Sequence, residues 1–533
     1  MHIQFSLLDQ ALIRYRTSNR QERYATLPEL LIAFNNDEVS DFPALRPHQR
    51  HPWHAFLVQL AAIALHAAKR DTPFETAGEW RTALLALTPD DSDGAAFSLV
   101  APDDRPAFLQ APCERGASRT WKKCLATPDA LDMLVTSKNH DLKAQRMAHA
   151  QAEDWIYALV SLQTQDGFLG AGNYGISRMN GGFASRPAFG VVPIGRWGKR
   201  WARDVRLLLR NRNQIVEMFE LKEKDGIALV WLQPWDGASS LSFDQLDPFY
   251  IEVCRRVRIQ AHGETFAAIA TTSKTTRIAA KERCGKTGDA WTPIEAAEGK
   301  ALSITARGFD YKLASALAFS SEYKPTITQN VQEDDAKEGL VILAQAIARG
   351  KGKTEGYHER RIPITTKMRD LMLRQSSDEV AKVAQERITA ISDVRKTLWG
   401  ALCALLGNDA QNVSDEIKNK AGKFASAFEQ GEDQRFFDDL GKEIEADDRD
   451  GEHDQWLLAI VDRAAAVLEQ AFVAGPRSAE RVYRARGAAL SRFHGFLRSE
   501  KAPNRIARVL KDRDEARKAA QSESFEGDSD DSN

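Results

Sequence analysis

The chain has 533 residues, a length that corresponds to roughly three or four domains. Hydrophobic residues make up 43% and charged residues 28%, the usual balance of a globular protein. Lysine and arginine total 73 against 75 aspartates and glutamates, so the net charge of -2 excludes a protein that binds nucleic acid through bulk positive charge. Any contact with a polyanion must use local basic segments.

The sequence contains no run of 18 apolar residues, and its first residues have neither a basic leader nor an apolar core. We therefore expect no membrane-spanning helix, no signal peptide and no membrane partner. The five cysteines are widely spaced and form no C-x-x-C pair, which argues against a disulfide framework and against a zinc ribbon. The expectation is a cytoplasmic protein with reduced thiols.

Residues 1–370 predict a large mixed α/β body. A mostly buried helix is predicted to begin near Pro52, because proline suits the first turn of a helix and apolar residues follow it closely. Residues 152–163 also have a helical pattern, whereas the short apolar runs 227–232 and 249–253 predict strands. Turn signals are frequent between these segments.

Residues 375–515 have a different, helical periodicity. Four segments carry apolar residues three or four positions apart, so each has one apolar stripe that needs a partner. We therefore predict an up-down four-helix bundle, followed by a basic segment from Arg505 to Lys518. The acidic residues 519–533 predict a disordered tail. The predicted fold class is α+β, a mixed α/β body followed by an all-α four-helix bundle.

The glycine-rich segment between residues 167 and 195 is the most unusual feature of the sequence. Gly170, Gly172 and Gly175 match the pattern G-x-G-x-x-G, but no strand is predicted before it and no acidic residue follows before Asp204. A dinucleotide site needs both, so we expect no nucleotide cofactor. Glycine also lets a backbone approach a ligand closely, so the segment is either a backbone-lined surface for nucleic acid or an ordinary loop. The polar residues that accompany it are Asn173, Ser177, Arg178 and Asn180.

Further segments combine basic residues with glycine, amide or aromatic residues, and they are residues 137–143, 196–203, 271–286 and 349–361. The last has five basic residues and three glycines in thirteen positions, which is typical of a cationic loop that faces phosphate. Residues 196–203 alternate tryptophan with basic residues, and an amphipathic helix explains this pattern better than a single-strand binding site does. The number of such segments favours a polyanionic partner.

No coherent catalytic constellation is present in the sequence. Three histidines within residues 48–54 surround a proline that interrupts the helical spacing of metal ligands, so packing or capping is expected for them. Asn139, His140 and Asp141 match a fragment of a nuclease motif that has no second arm. We expect a protein that is not an enzyme and has no metal or cofactor. The alternative is a stand-alone metal-dependent nuclease or nucleotide-processing enzyme that uses His140.

Taken together, the ordered segments resemble the CasA family, the large subunit of the type I-E CRISPR surveillance complex called Cascade. The resemblance extends from Phe5 to about Arg498, and the order of the segments is more specific than any one of them. In chain order, the segments that carry the resemblance are FSLLDQALIRYR, TLPELL, PAFLQ (106–110), GAGNYGISRMNGG (170–182), VWLQPWDG (230–237), GDAWTPI (288–294) and KTEGYHERR (353–361). The predicted helical bundle follows them.

The resemblance implies a non-catalytic recognition subunit. Such a subunit reads a short protospacer-adjacent motif (PAM) in duplex DNA, mainly from the minor groove, and separates the strands so that guide RNA can pair. In RNA-guided effectors the protein reads this motif and the duplex shape, while base pairing reads the sequence. The implied partners are the other Cascade subunits, the CRISPR guide RNA, double-stranded target DNA and a recruited helicase-nuclease.

The resemblance also implies DNA-binding residues by position. The family's glycine loop corresponds to Gly170, Gly172 and Asn173. A lysine that contacts the PAM is assigned to Lys281. The minor-groove and wedge turn corresponds to Gly352, Lys353, Thr354 and Glu355.

Two positions in that turn depart from the family's pattern. Thr354 stands where the best-known form has a glutamine wedge, and Glu355 is unexpected beside phosphate. The loop that reaches the guide RNA and a neighbouring subunit falls within residues 135–146, and its assigned residues are Lys138, Asn139, His140 and Lys143. Some members of the family carry a cysteine cluster that could hold zinc, and this chain lacks it, so the resemblance implies no metal.

Overall fold

The computed structural model describes residues 3–132, 147, 149–181, 184–263, 265–350, 353–374, 376, 378–407, 413–476, 478–499, 502 and 504–527. The chain divides into two compact units. The first comprises Met1–Phe309 and Ala316–Ile362, and the second comprises Asp310–Ser315 and Pro363–Asn533. Short strands and helices make up the first unit and long helices the second, so the predicted α+β class is confirmed. Among the described helices, none combines the length and apolar composition that a membrane span requires.

Most of the described strands are short, β16 and β17 being the long ones, and the strands form seven small sheets. The three-stranded sheets have the orders β3-β2-β4, β11-β12-β6 and β17-β16-β7. The strands are β1 (Gln4–Ser6), β2 (Ile13–Thr17), β3 (Glu22–Ala25), β4 (Val39–Asp41), β5 (Ser98–Val100), β6 (Lys123–Leu125), β7 (Ala188–Pro193), β8 (Ile227–Leu229), β9 (Leu241–Ser242), β10 (Leu246–Ile251), β11 (Arg256–His262), β12 (Thr265–Thr271), β13 (Ile278–Ala279), β14 (Ile294–Glu295), β15 (Tyr323–Lys324), β16 (Leu340–Gly350) and β17 (Lys353–Ile364).

Two of these sheets position the segments discussed below. Strands β11 and β12 are antiparallel, with Arg256 opposite Thr271 and His262 opposite Thr265, so their turn lies at one end and Thr271 at the other. Strand β16 is antiparallel to β7, and Leu340 lies opposite Pro193. The ends of β12 and β16 both lead into basic segments that the sequence singled out.

Helices and aromatic residues form most of the core of the first unit. Helix α2 is buried on nearly all sides, as predicted, and α4 replaces the strand that a dinucleotide motif would need. The helices of this unit are α1 (Leu27–Asn35), α2 (Arg50–Ala67), α3 (Ala77–Ala86), α4 (Ala152–Thr164), α5 (Trp197–Phe219) and α6 (Tyr311–Phe319). Of α6, only the residues from Ala316 onward belong to this unit. The tryptophans with no exposed surface are Trp53, Trp80, Trp155, Trp201 and Trp231.

The predicted strand at residues 227–232 forms only in its first half. Strand β8 ends at Leu229, and Val230–Leu232 form a 3-10 turn. The reason is the indole of Trp231, which is fully buried and donates its N–H to the carbonyl oxygen of Ala96 at 3.0 Å. Turning the chain brings Trp231 to that partner.

The second unit is helical. Its helices are α7 (Thr366–Leu373), α8 (Asp378–Leu406), α9 (Asp415–Glu445), α10 (Arg449–Gln470), α11 (Ala479–Leu497) and α12 (Asn504–Gly527). Helix α8 buries the predicted apolar stripe, and Ser414 caps α9 by accepting the N–H of Ile417 at 3.4 Å. Helix α12 contains the predicted basic segment and continues to Gly527, into residues for which the sequence predicts disorder. The run of alanine, glutamine, serine and glutamate there is compatible with continued helix.

Candidate nucleic-acid interface

The glycine-rich segment folds into a tight loop directly after α4. The N–H of Leu169 donates to the carbonyl oxygen of Asn173 at 2.9 Å, and the N–H of Asn173 donates to that of Gly170 at 2.9 Å. The N–H of Ile176 donates to the carbonyl oxygen of Asp166 at 3.1 Å. We call residues 167–181 the glycine loop, and these bonds make its first half a closed turn.

Gly170 and Gly172 have different surroundings in the glycine loop. Both have positive φ angles, 112° and 79°, which side-chain-bearing residues rarely adopt. A Cβ atom on Gly170 would meet no heavy atom within 4 Å, so the backbone there is open. A Cβ atom on Gly172 would lie 2.6 Å from the Cβ of Thr272, so Gly172 is needed for packing.

The residues after β12 pack against the glycine loop. The N–H of Ser273 donates to the carbonyl oxygen of Gly172 at 2.9 Å, and the Tyr174 hydroxyl donates to that of Lys274 at 3.1 Å. The Lys274 side chain is exposed beside this contact. Sequence reasoning included Lys274 in a basic segment but gave no signal that it, among several lysines, would lie against the glycine loop.

Lys281 lies in a 3-10 turn that approaches the other end of the glycine loop. In this turn, Lys281–Arg283, the Lys281 side chain is exposed. The turn leads to Gly285, where a Cβ atom would lie 2.8 Å from the main-chain carbon of Met179. Lys286 is also exposed. The glycine loop therefore has exposed lysines on segments that contact both of its ends.

The end of β16 forms a third contact. Arg349 donates from Nη1 to the carbonyl oxygen of Phe168 at 2.9 Å, and burial lowers the pKa of Arg349. The predicted wedge turn begins at Gly352, three residues after Arg349. The structure thus brings together three segments that are far apart in sequence: the glycine loop, the residues after β12, and the end of β16.

The residues of the predicted wedge turn are described only in part. Gly352 and the side chain of Lys353 lie outside the described residues. Thr354 is only 2% exposed, and Glu355 is exposed with its carboxylate against Gly350. A wedge role for Thr354 therefore remains a prediction, and it would require this side chain to become accessible.

Two polar residues predicted to accompany the glycine surface are instead buried. The N–H of Ser177 and the Nη1 of Arg178 both donate to the carboxylate of Glu252 at 2.7 Å. The Arg178 guanidinium also lies 3.8 Å from the centre of the Tyr250 ring. Buried charges require such partners, so these residues fix the glycine loop to β10 rather than face a ligand.

Arg277 of the basic segment 271–286 is also structural. Its guanidinium donates to the carbonyl oxygen of Gln233 at 2.8 Å and stacks on Trp235, with 5.3 Å between the guanidinium carbon and the ring centre. Burial lowers its pKa to about 10. Lys274, Lys281 and Lys286 are therefore the exposed cations of this segment.

The assigned guide-RNA loop, with Lys138, Asn139, His140 and Lys143, lies outside the described residues. The histidines of residues 48–54 are buried: His48 pairs with Asp132 at 2.7 Å and His54 with Asp204 at 2.8 Å. Within the described ranges, no three histidine, cysteine or acidic side chains form a group that could hold a metal.

Comparison with solved structures identifies the fold as that of CRISPR-associated proteins. The Cse1 protein of Acidimicrobium ferrooxidans has a TM-score of 0.62 and 15% identity over 96% of this chain and 99% of that one. CasA (Cse1) of Thermus thermophilus has a TM-score of 0.63 and 14% identity over 93% and 99% of the two chains. For Cse1 of Thermobifida fusca the values are 0.64, 11%, 95% and 98%.

These structures confirm, at the level of the fold, the resemblance to the CasA family that the sequence indicated. No family model matches the sequence. No curated protein matches it either.

Proposed function

We propose that the chain is the large subunit of a type I-E CRISPR RNA-guided surveillance complex. In this proposal it is non-catalytic, reads the PAM of duplex DNA through the minor groove and promotes strand separation for R-loop formation. It binds the other Cascade subunits and the guide RNA, and it supports recruitment of a helicase-nuclease. The fold shared with Cse1 and CasA proteins supports the subunit role.

The single observation that carries DNA recognition is the open backbone at Gly170 within the cluster of three segments. The minor groove is about 6 Å wide and chemically degenerate, so a thin backbone edge fits it better than bulky side chains do. Lys274 and Lys281 are exposed on the neighbouring segments and can contact phosphates. Such an arrangement favours recognition of several related motifs over one strict sequence.

The test is a selection on the assembled complex. The chain is co-expressed with its operon neighbours and a guide RNA, and the particle is offered duplexes with a randomised flank beside the guide-matched sequence. We expect co-purification with RNA and enrichment of a subset of flanks. Gly170→Leu should flatten the enrichment, because its side chain would fill the space that the DNA needs.

Gly263→Leu is the matched control. Gly263 also has a positive φ, 66°, and open space around its Cβ position. A leucine is strained less at 66° than at the 112° of Gly170, so thermal unfolding of both variants separates lost stability from lost binding. Gly263 lies at the opposite end of β12 from Thr272, roughly 20 Å away at the usual rise of a strand. Unchanged enrichment with Gly170→Leu, or failure of the chain to join an RNA-containing particle, would contradict the proposal.

A second variant addresses the wedge turn. Lys353→Ala combined with Thr354→Ala should reduce flank discrimination, with thermal unfolding as the control for packing lost at the buried Thr354. The enzyme alternative makes a separate prediction. A divalent-metal-dependent activity of the purified chain that His140→Ala abolishes would favour it over the subunit role.

A further inference from the structure

A pocket lined by four arginines lies at the N-terminus of α5, and we call it the arginine pocket. Its volume is about 220 Å³. Arg50 comes from α2, Arg196 and Arg200 from the start of α5, and Arg361 from β17. These elements are far apart in sequence, so only the fold brings the four guanidinium groups together.

Carboxylates around the arginine pocket balance part of its charge. Asp37 lies 3.5 Å from the guanidinium of Arg196, and Glu359 accepts a hydrogen bond from the Nε of Arg361 at 3.1 Å. Asp41 also lines the pocket. Two of the four arginines therefore have a carboxylate partner.

The guanidinium groups of Arg50 and Arg200 form no hydrogen bond or ion pair with any residue that the structure describes. The Nε of Arg200 is buried without an acceptor. Burial lowers the pKa of Arg200, and attraction to Asp204 offsets this only in part. A buried donor without an acceptor is unfavourable, so an anion in the pocket would be stabilised by this group.

The first turn of α5 adds to the positive potential of the pocket. Gly195, Arg196 and Trp197 line it, and the side chain of Arg196 caps no backbone N–H. Asp37 accepts the N–H of Lys199 at 3.2 Å, so its carboxylate offsets part of this potential. The N-terminus of this 23-residue helix carries a partial positive charge, which favours a bound anion.

We propose that the arginine pocket binds a phosphate group. Guanidinium groups match the oxygens of phosphate with paired hydrogen bonds, and Arg50 and Arg200 have donors to give. The phosphate is either a free ion or part of a nucleic-acid backbone, since both present the same oxygens. This inference goes beyond the proposed function and does not rest on it, because the pocket uses none of the residues assigned to PAM recognition.

The test is calorimetric titration of the full-length chain with inorganic phosphate at low ionic strength. We expect saturable binding at one site, weakened about tenfold or more by Arg200→Gln, since a hydrogen bond to a charged group is lost. Arg50→Gln should act in the same direction. Arg206→Gln is the control, because Arg206 is exposed on the same helix and lies 3.8 Å from Asp334.

Circular dichroism of each variant shows whether its fold is retained. Absence of saturable phosphate binding by the wild type overturns the proposal. So does equal binding by Arg200→Gln, Arg50→Gln and Arg206→Gln. Either result would leave the proposed PAM recognition unaffected, because that is measured by flank enrichment.

Competition distinguishes the two sources of phosphate. A short oligonucleotide is added to the phosphate-loaded chain, and the same oligonucleotide with uncharged methylphosphonate linkages is added in parallel. Displacement by the charged form alone supports a nucleic-acid backbone as the ligand. Phosphate binding that neither form displaces supports a site for the free ion.

Discussion

The contact between Gly172 and Thr272 ties the glycine loop to the residues after β12. Gly172→Ala should destabilise the protein by about 1–3 kcal/mol from backbone strain, and further because its Cβ would lie 2.6 Å from that of Thr272. Thr272→Gly in the same chain should recover the part that is due to the clash. Urea unfolding of the four members of this mutant cycle measures the coupling. Additive effects would show that the loop and the segment move independently.

A buried ion pair in the second unit carries a pH-dependent contribution to stability. Arg387 donates from Nε to Glu443 at 2.6 Å and lies 4.2 Å from the centre of the Trp456 ring, while His453 contacts the same carboxylate at 3.0 Å. Burial raises the pKa of Glu443, but the His453 hydrogen bond and Arg387 outweigh it and hold that pKa below the usual 4.5. Its contribution is therefore complete above pH 4.5 and is lost as the pH falls through the lower folded-state pKa.

Glu443→Gln should lower the free energy of unfolding by about 3–5 kcal/mol at neutral pH, because Arg387 keeps a buried charge without its counter-ion. The variant should also lose less stability than the wild type on acidification below pH 4.5. Asp438→Asn is the control, since it removes an exposed charge from the same helix. Parallel pH dependence in Glu443→Gln and the wild type would argue against this assignment.

At the scale of single residues, the sequence indicated a glycine-rich loop but not which of its side chains are buried. The density of glycine predicted a loop and left open whether its backbone faces nucleic acid. It could not predict that Arg178 and Ser177 face Glu252, because that partner lies about 75 positions away in the chain. For the same reason Arg387, which adjoins an apolar stripe, was not recognised as buried.

At the scale of elements, α12 packs on α10 through two kinds of interaction. Ile506, Val509 and Leu510 are buried, while exposed and half-buried arginines pair with acids of α10, such as the exposed Arg508 with Asp454 at 2.9 Å. Leu510→Ala should cost about 2–5 kcal/mol of local stability. The triple change of Arg505, Arg508 and Arg513 to Gln should cost at most about 1 kcal/mol per pair.

Hydrogen exchange along residues 504–519 measures both effects. We expect faster exchange of α12 in Leu510→Ala and a smaller change in the triple arginine variant. The opposite order would mean that ion pairs, and not apolar burial, hold this helix in place.

Helices with strong periodicity were predictable, as were the apolar strands β8 and β10, whereas the two-residue strands were not. Helices α2, α4 and α5 follow from local apolar spacing, which the chain carries within a few turns. Strands β9 and β13 have two residues each and pair with one another across more than thirty intervening positions, so no local pattern marks them. Their existence depends on tertiary contacts.

At the scale of the whole molecule, the near-neutral charge limits attraction to DNA to the local lysines. If the proposed function holds, binding of the assembled complex to target duplex should weaken steeply with salt. Changing Lys274, Lys281 or Lys286 to Gln should each reduce the slope of log affinity against log salt by about one, if that lysine contacts phosphate. Lys300→Gln is a control, because Lys300 is paired with Glu298 at 2.6 Å.

Equal slopes for the lysine variants and the control would mean that other residues contact the phosphates.

The overall architecture itself was predictable only through the resemblance to a family. Composition and periodicity indicated a mixed body and a helical bundle, but seven small sheets and their strand orders depend on long-range pairing that a single sequence does not reveal.

In the glycine loop, some glycines are needed for folding and another for the proposed binding. A Cβ atom on Gly167 would collide with the carbonyl oxygen of Ala184, and one on Gly175 would lie 2.6 Å from the main-chain carbon of Gly167. Gly170 has no such neighbour. In a library randomised at these three codons, a screen for well-folded chains should retain glycine almost exclusively at 167 and 175, and should accept other residues more often at 170, where backbone strain at φ 112° is the cost and no clash adds to it. A screen for target capture should retain glycine at all three, so the difference between the two screens would trace the surface that meets DNA.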